Sequence, residues 1–213
     1  MKWAYLLQML HGTTLFESSA LLAGPDPPGE VRRQLSRWVA SGRLIQLRRG
    51  LYALAPPYDA GAAPDVLALA SRIRVPSYVS LQSALSYHGI IPEAVPMVTS
   101  VTTNRPGQFD TPLGGFLYRH LKRDLFWGYR EVDVGAGQMA FVATPEKALL
   151  DLFYLTPGKI DSPFVRELRL AAEQLDSRRL RSFATRAAKP RLVRAAALTI
   201  RILEKEQTEE MSL

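Results

Sequence analysis

The pattern of apolar and polar residues predicts two short helices at the start of the chain. Met1–Leu10 is apolar but short and lacks the small-residue cleavage site of a signal peptide, so we interpret it as a first helix. Thr14 and Glu17 fit a capping box, in which the threonine caps a second helix and the glutamate bonds back to it. This second helix is expected to end near Leu22, before the turn-forming residues Gly24–Gly29.

The spacing of the next large apolar side chains predicts a third helix. Asp26 can serve as its N-cap, with Pro27 at the first helical position, where a missing N–H costs nothing. One apolar stripe runs along this helix and consists of Val31, Leu35, Trp38 and Val39. At about 100° per residue, the opposite face carries Arg33, Ser36, Arg37 and Ala40, with Arg32 at its edge.

Two short strands follow the third helix and predict a hairpin. Leu44–Leu47 and Leu51–Leu54 are joined at Arg48-Arg49-Gly50, so the turn carries two adjacent positive charges. Three helices followed by a hairpin are the plan of a winged helix-turn-helix, in which the third helix can lie in the major groove of DNA. Residues 1–58 are therefore predicted to form a winged helix-turn-helix DNA-binding domain.

The remaining residues, 59–213, predict a mixed α/β domain that ends in helices, so the fold class of the whole chain is α+β. Ala55–Pro64 is rich in turn-forming residues and is interpreted as a linker, and Asn104–Gly115 as a loop between strands. The expected strands are Val98–Thr103, Gly115–Leu121, Gly128–Val134 and Met139–Ala143. The expected helices are Asp65–Arg74, a helix capped by Ser80, a helix capped by Thr144, Pro163–Leu175, Ser177–Ala187 and Pro190–Glu206.

The composition is that of an ordinary globular protein. Hydrophobic residues make up 47% of the chain and charged residues 22%, which excludes wholesale disorder. No stretch approaches about 18 consecutive apolar residues, so we expect no membrane span and a cytoplasmic location.

The titratable residues form no recognisable catalytic or metal-binding pattern. The chain has no cysteine, which excludes disulfides, thiolate nucleophiles and zinc–sulfur sites. The histidines, His11, His88 and His120, are too dispersed in sequence for a metal cluster. We expect Asp151 to bond to backbone or a nearby arginine, and His88 to bond to the carbonyl groups that end its helix. The sequence therefore predicts neither an enzyme nor a cofactor site.

Positive charge is concentrated in two regions on either side of a near-neutral middle. The formal net charge is +7, from 27 basic and 20 acidic residues. Residues 1–58 carry +4 and residues 159–205 carry +7, whereas residues 59–158 carry −1 and residues 206–213 carry −3. Such clusters of positive charge favour a polyanionic partner, with nucleic acid as the first candidate and an anionic membrane surface as the second. The alternative interpretation is a basic surface that is only solvated.

The predicted DNA-binding residues are Arg32, Arg33, Ser36, Arg37, Arg43, Arg48 and Arg49. Arginines on the third helix can donate paired hydrogen bonds to guanine O6 and N7. Arginines around the hairpin can contact phosphates or enter a narrow minor groove. A further set of basic residues could extend a DNA footprint, bind a structured RNA or only solubilise the C-terminal helices: Arg178, Arg179, Arg181, Arg186, Lys189, Arg191, Arg194 and Arg201.

Three stretches of the chain carry a family resemblance. They are VRRQLSRWVASGRLIQLRRGLY at 31–52, SYVSLQSALSYHGIIPE at 77–93 and ATPEKALLDLFY at 143–154. In this order and spacing they resemble the AbiEi family of antitoxins and transcriptional regulators from bacterial type IV toxin–antitoxin systems. The resemblance extends over about residues 3–205, and the chain departs from it at GPDPPG (24–29), where such regulators commonly have a small polar turn.

The resemblance implies a protein with two activities. The N-terminal domain would bind inverted repeats of DNA upstream of its own operon and repress it. The domain at 59–213 would supply the antitoxin activity. The toxin in such systems resembles a nucleotidyltransferase, and antitoxins of this type oppose its effect without needing to bind it directly.

Three other functions stay open at this point. A one-component regulator would bind a small ligand in residues 59–213, so that a metabolite shifts its affinity for the operator. A nucleic-acid-processing enzyme would need clustered carboxylates, and the chain offers Asp124, Glu131, Asp133, Glu146 and Asp151 without recognisable spacing. A winged helix can also serve as a protein-binding platform.

Overall fold

A computed structural model of the chain describes residues 1–10, 13–59, 63–93 and 95–210. These residues form a mixed α+β fold with one three-stranded and one six-stranded sheet, which confirms the predicted fold class. In the described residues, no helix is both long and apolar enough to cross a membrane. His11 and the middle of the predicted linker, residues 60–62, lie outside the described residues.

The N-terminal part alternates short helices with the strands of a small antiparallel sheet. Its elements are α1 (Trp3–Leu10), β1 (Leu15–Glu17), α2 (Ser18–Leu22), α3 (Pro28–Ala40), β2 (Leu44–Arg48) and β3 (Leu51–Leu54). The strand order is β1-β3-β2, so β3 is central and β2–β3 is the predicted hairpin. Gly50 ends the hairpin turn with a φ of +87°, a conformation that favours glycine.

The capping box predicted at Thr14 and Glu17 is wrong, because residues between them form a strand. Phe16 pairs with Tyr52 of β3 and is buried, and α2 begins only at Ser18. Glu17 is the N-cap residue of α2, but its side chain makes no capping hydrogen bond. The strand ladder and the burial of an aromatic ring together outweigh a local cap, which contributes only about 1 kcal/mol.

The cap predicted for the third helix is also wrong. α3 begins at Pro28 with Pro27 as its N-cap residue, and no side chain caps it. Asp26 instead forms an ion pair with the N-terminal amine of Met1, at 3.4 Å. A carboxylate that neutralises the chain terminus is therefore not available to the first N–H groups of α3, which begins with proline at its first turn.

The small sheet is covered on both of its faces. Tyr52 and Leu54 point towards the helices, where they join a cluster with Leu35 and Trp38. The alternate residues Leu51 and Ala53 point the other way and belong to the main core. The hairpin is thus part of two hydrophobic cores.

The C-terminal part is built on the six-stranded sheet. Its elements are α4 (Val66–Ile73), β4 (Ser77–Val79), α5 (Leu81–Tyr87), β5 (Met97–Thr102), β6 (Gly107–Thr111), β7 (Gly114–His120), β8 (Tyr129–Asp133), β9 (Met139–Ala143), α6 (Pro145–Leu155), α7 (Ser162–Glu167), α8 (Ser177–Ala187) and α9 (Pro190–Glu210). The strand order is β6-β7-β5-β4-β9-β8, with β5–β7 and β4–β9 parallel and the other neighbours antiparallel.

All four predicted strands of this part are present, within one residue at each end, but two further strands were missed. β6 lies in the segment expected to be a loop and is an edge strand with no fully buried residue. β4 is buried but only three residues long, too short for a periodic signal. The helix predicted over Pro163–Leu175 is wrong in its second half, since α7 ends at Glu167 and Arg169 has a φ of +48°.

The two faces of the large sheet carry different helices. Tyr118 and Arg119 are neighbours on β7, so their side chains point to opposite faces. The hydroxyl of Tyr118 donates to the carbonyl of Ala70 in α4 at 2.6 Å, whereas Arg119 donates to the carbonyl of Leu155 in α6 at 3.2 Å. Because α6 packs against α8 and α9, these three helices lie on the face away from α4.

The N-terminal part packs on the α4 face. Leu51 and Ala53 share the main core with Leu69 of α4. Burial raises the pKa of the Tyr118 hydroxyl, and the hairpin residue Arg48 is close enough to lower it in part. α3 lies beyond the small sheet, so α3 and α8 are on opposite sides of the large sheet.

Candidate nucleic-acid interface

α3 presents one exposed face that is positively charged. Its anchoring residues, Val31, Leu35 and Trp38, are at most 4% exposed. The predicted contact residues Arg32, Arg33, Ser36 and Arg37 are all exposed. The helical spacing therefore separates the buried and exposed sides as the sequence predicts.

Aromatic contacts that the sequence did not predict hold α3 in place. Trp3 of α1 packs edge-on against Trp38 of α3, with ring centroids 4.9 Å apart, and against Tyr58 at the same distance. The guanidinium of Arg43 lies over the Trp3 ring at 5.5 Å and is half-buried. Arg43 was expected to contact phosphates or to enter a narrow minor groove, and in the folded chain its guanidinium packs on Trp3. The orientation of α3 is thus fixed by residues up to 55 positions apart in the sequence.

The two arginines at the hairpin differ in their surroundings. Arg48 forms an ion pair with Glu17 of β1 at 2.9 Å and donates to the carbonyl of Arg49 at 3.1 Å. Arg49 is exposed, and its side chain makes no ion pair with another described residue. Of the pair, Arg49 is therefore the charge most available to a ligand.

The arginines of α3 are also without ion-pair partners. Among the described residues, no carboxylate lies within ion-pair distance of Arg32, Arg33 or Arg37. Ser36 is different, because its hydroxyl donates to the carbonyl of Arg32 at 3.1 Å. This bond uses the hydroxyl proton, so Ser36 offers a ligand only acceptor positions in this arrangement.

If the hairpin contacts DNA through phosphate and not through bases, Arg49→Ala should weaken binding to every DNA sequence by a similar factor. The slope of log K against log salt should fall by about 0.9 for each phosphate that the variant no longer neutralises. Titrations at several salt concentrations measure this slope. Arg201→Ala, which removes an exposed arginine from α9 on the far side of the large sheet, is the control and should leave the slope unchanged. An unchanged slope for Arg49→Ala would remove the hairpin from the interface.

The basic residues of the C-terminal helices fall into two groups. Some are neutralised or bonded within the chain: Arg179 lies 3.9 Å from Glu146, Lys189 lies 3.0 Å from Asp124, and Arg191 donates to the carbonyl of Thr156. Others are exposed and have no ion pair with any described residue: Arg178, Arg181, Arg194 and Arg201. The second group leaves positive charge on the outer surface of α8 and α9.

A buried polar network joins β4 to α6. Lys147 forms an ion pair with Asp151 one helical turn away and donates to the hydroxyl of Tyr78 at 2.8 Å. Asp151 accepts hydrogen bonds from Tyr78 at 2.9 Å and from Ser80 at 2.8 Å. Asp151 was expected to bond to backbone or an arginine; that prediction is wrong, and its charged partner is the lysine of its own helix.

This network is closed to solvent. Burial lowers the pKa of Lys147 and the charge of Asp151 raises it, whereas burial raises the pKa of Asp151 and Lys147 lowers it. The pKa of Tyr78 is raised by burial and by the negative charge of Asp151. The side chains of the four residues are nearly or fully buried, and they bond to one another. The network therefore ties β4 and the start of α5 to α6 inside the core.

His88 also connects two elements. Its Nε2 donates to the carbonyl of Ala143 in β9 at 2.8 Å. The expected bond to the carbonyls of its own helix is therefore wrong. Burial lowers the pKa of His88, which favours the neutral ring.

Two open clefts in the described part of the chain are large enough to admit a small ligand. An open, largely apolar cleft of about 710 Å³ lies between the large sheet and α6–α7, with Met97, Leu117, Leu152 and Phe164 among its walls. A crevice of about 350 Å³ lies where Leu15 and α4 meet the β8–β9 turn. In the part of the chain that the structure describes, no three His, Asp or Glu residues are grouped to hold a metal ion.

Comparisons with known proteins assign no family. No protein-family model matches the chain, and no curated protein matches it. Among solved structures, the chain is similar to the RV2827C protein from Mycobacterium tuberculosis, with a TM-score of 0.49 and 16% sequence identity. The match covers 93% of this chain and 78% of that chain. A likeness of this size carries no argument about function.

Proposed function

We propose that this protein is a DNA-binding transcriptional autorepressor and the antitoxin of a type IV toxin–antitoxin system, as the resemblance to the AbiEi family implies. Its N-terminal part would bind operator DNA. Its C-terminal part would counteract a nucleotidyltransferase-like toxin, without requiring direct contact. The two halves of this proposal rest on different observations and are tested separately.

The N-terminal part supports the first half through its topology. The order α1, β1, α2, α3, β2, β3 is consistent with a winged helix-turn-helix, in which β2–β3 would be the wing. In such a module the helix that precedes the hairpin enters the major groove. The proposal therefore assigns the recognition helix to α3 and places the wing against the adjacent backbone.

The observation that carries DNA binding is the set of arginines on the solvent face of α3 that lack ion-pair partners in the described chain. Arg33 and Arg37 are one turn apart, so both side chains lie on the same side of the helix. A guanidinium without an internal carboxylate keeps its donors for guanine edges or phosphates. Opposite this face, Leu35 and Trp38 fix the helix to its core.

Footprinting of the purified protein on the DNA upstream of its own gene tests operator binding. Protected segments should form an inverted repeat, and the Arg33→Ala variant should lose the protection. If the protein covers all of the DNA at high concentration and protects no defined segment at any concentration, an operator-binding role is contradicted.

The antitoxin half rests on the two motif stretches in the C-terminal part. The stretch at 77–93 contributes Tyr78 and Ser80, and the stretch at 143–154 contributes Lys147 and Asp151, to one buried network. These motif residues therefore stabilise the scaffold, and antitoxin chemistry must use the surface around it. Bacterial growth during expression of a nucleotidyltransferase-like toxin is the readout. Full-length protein should restore growth, including as Arg33→Ala, and no restoration at equal expression would contradict this half.

A one-component regulator with a ligand-sensing C-terminal part is the second candidate, and the apolar cleft beside Phe164 favours it. A cleft of about 710 Å³ is within the usual size range of small-ligand sites. This candidate requires that a metabolite changes operator affinity. The same operator titration with and without a cell metabolite extract distinguishes it from the antitoxin, for which affinity should not change.

A further inference from the structure

The outer face of α8 carries a second basic surface, which we call the α8 surface and define as Arg178, Arg181 and Arg186. All three side chains are exposed. Arg178 and Arg181 form no ion pair within the described residues, unlike neighbouring Arg179, which approaches Glu146. The inward side of α8, with Leu180 at its centre, is buried against the core. The helix therefore presents its charge to solvent.

One edge of the α8 surface is a preformed stack of a guanidinium on an indole. The Arg186 guanidinium lies over the Trp127 ring, 4.1 Å from its centroid. The indole N–H of Trp127 donates to the carbonyl of Asp124 at 3.0 Å, and Phe183 packs edge-on against the ring at 5.1 Å. On its inner side the ring neighbours the buried ammonium of Lys147, at 5.2 Å. These contacts fix the ring, so the stack is ordered before any ligand binds.

The position of this surface separates it from the proposed operator site. α8 packs on α6, on the face of the large sheet away from α4, whereas the small sheet and α3 lie on the α4 side. A straight duplex on α3 therefore runs on the other side of the molecule. The ligand of the α8 surface must be a different molecule or a different segment.

The chemistry of the stack identifies the class of ligand. Arginine planes and aromatic rings bind unpaired bases by stacking, while neighbouring arginines bind the phosphates of the same strand. Bases inside a duplex are already stacked and unavailable. The Cα atoms of Arg178 and Arg186 are about 12 Å apart along the helix, the length of about three stacked nucleotides. We propose that the α8 surface binds single-stranded nucleic acid, with a base on the Arg186–Trp127 stack and phosphates on Arg178 and Arg181.

Fluorescence anisotropy of the full-length protein with labelled oligouridylate RNA and oligothymidylate DNA, each of about twelve nucleotides, tests this proposal. A duplex of the same length is the comparison. The protein should bind single strands more tightly than the duplex, with strong salt dependence. Equal affinity for the RNA and the DNA oligonucleotide would mean that the protein does not recognise the ribose hydroxyl. Tighter binding of the oligouridylate would identify RNA as the ligand. Absence of single-strand binding overturns the proposal.

The decisive variant is Arg186→Lys, which keeps the charge but loses the planar stacking surface. It should weaken single-strand binding about fivefold or more, the lower range for one stacked base. Arg201→Ala on α9 should change it less than twofold, although it removes a charge. If Arg186→Lys binds like the unaltered protein, or if Arg201→Ala weakens binding equally, the stack plays no part.

This proposal is independent of operator binding. Arg33→Ala should leave the affinity for single strands unchanged, and Arg186→Lys should leave the affinity for the operator unchanged. A protein that binds operator but no single strand therefore refutes only the α8 proposal.

Discussion

Asp151→Ala is expected to lower the free energy of unfolding by about 3–5 kcal/mol, because it leaves the ammonium of Lys147 buried without its counter-charge. The same replacement removes the acceptor for Tyr78 and Ser80. Urea denaturation followed by circular dichroism measures the change. In this variant the unfolded lysine binds a proton that the folded, buried lysine resists. Stability of this variant should therefore rise with pH towards about 10.4, the ordinary pKa of lysine.

Two controls separate the charge effect from a general loss of packing. The double variant Lys147→Met/Asp151→Leu removes both charges at similar volume and should lose less stability than Asp151→Ala, although it also leaves the hydroxyls of Tyr78 and Ser80 without their acceptor. Asp124→Ala breaks the exposed ion pair with Lys189 and should change stability little. If Asp151→Ala and the double variant lose the same stability, the cost comes from lost packing and lost hydrogen bonds and not from the unpaired charge.

Arg33→Ala or Arg37→Ala is expected to cost about 1–3 kcal/mol in operator binding, a factor of about 5 to 150 in Kd. The reason is that each guanidinium is exposed on α3 with no ion pair in the described chain, so its donors are free for base edges. The two residues are one turn apart, and the double variant need not equal the sum of the single ones. Anisotropy titrations on operator and scrambled DNA measure both affinity and specificity.

The replacement Arg37→Lys distinguishes base contacts from phosphate contacts. Lysine keeps the charge but not the two parallel donors that match guanine, so base contact predicts a loss on the operator alone. Arg201→Ala should leave operator and scrambled DNA unaffected. Equal losses on both DNAs for Arg33→Ala and Arg37→Ala would mean that α3 contacts only phosphate.

Features that depend on local spacing could be predicted from the sequence. The charged face of α3 follows from helical periodicity, and α8 is found at its predicted bounds, Ser177–Ala187. Thr144 caps α6 as expected, accepting from the backbone of Lys147. The ion pair between Lys147 and Asp151 could also have been predicted, because side chains four residues apart lie on the same face of a helix.

Features that depend on distant residues could not be predicted. The ion pair that holds Arg48 joins residues 31 positions apart, and the stack of Arg186 on Trp127 joins different elements of the C-terminal part. β1 was missed because a local capping signal competed with pairing to β3, which only the tertiary fold supplies. The α8 surface is distinguished by the contact of Arg186 with Trp127. Residue spacing along α8 does not reveal this contact, because Trp127 lies in another part of the chain.

The central claim is that α3 recognises a specific DNA sequence. Its most direct test is anisotropy of the full-length protein with its own upstream DNA against scrambled DNA of equal length, at about 0.15 M salt. The account predicts tighter binding to the upstream DNA by about 10³ or more, the range of specific regulators. Equal and weak binding to both would contradict it, and would leave the exposed arginines of α3 as a basic surface without sequence recognition.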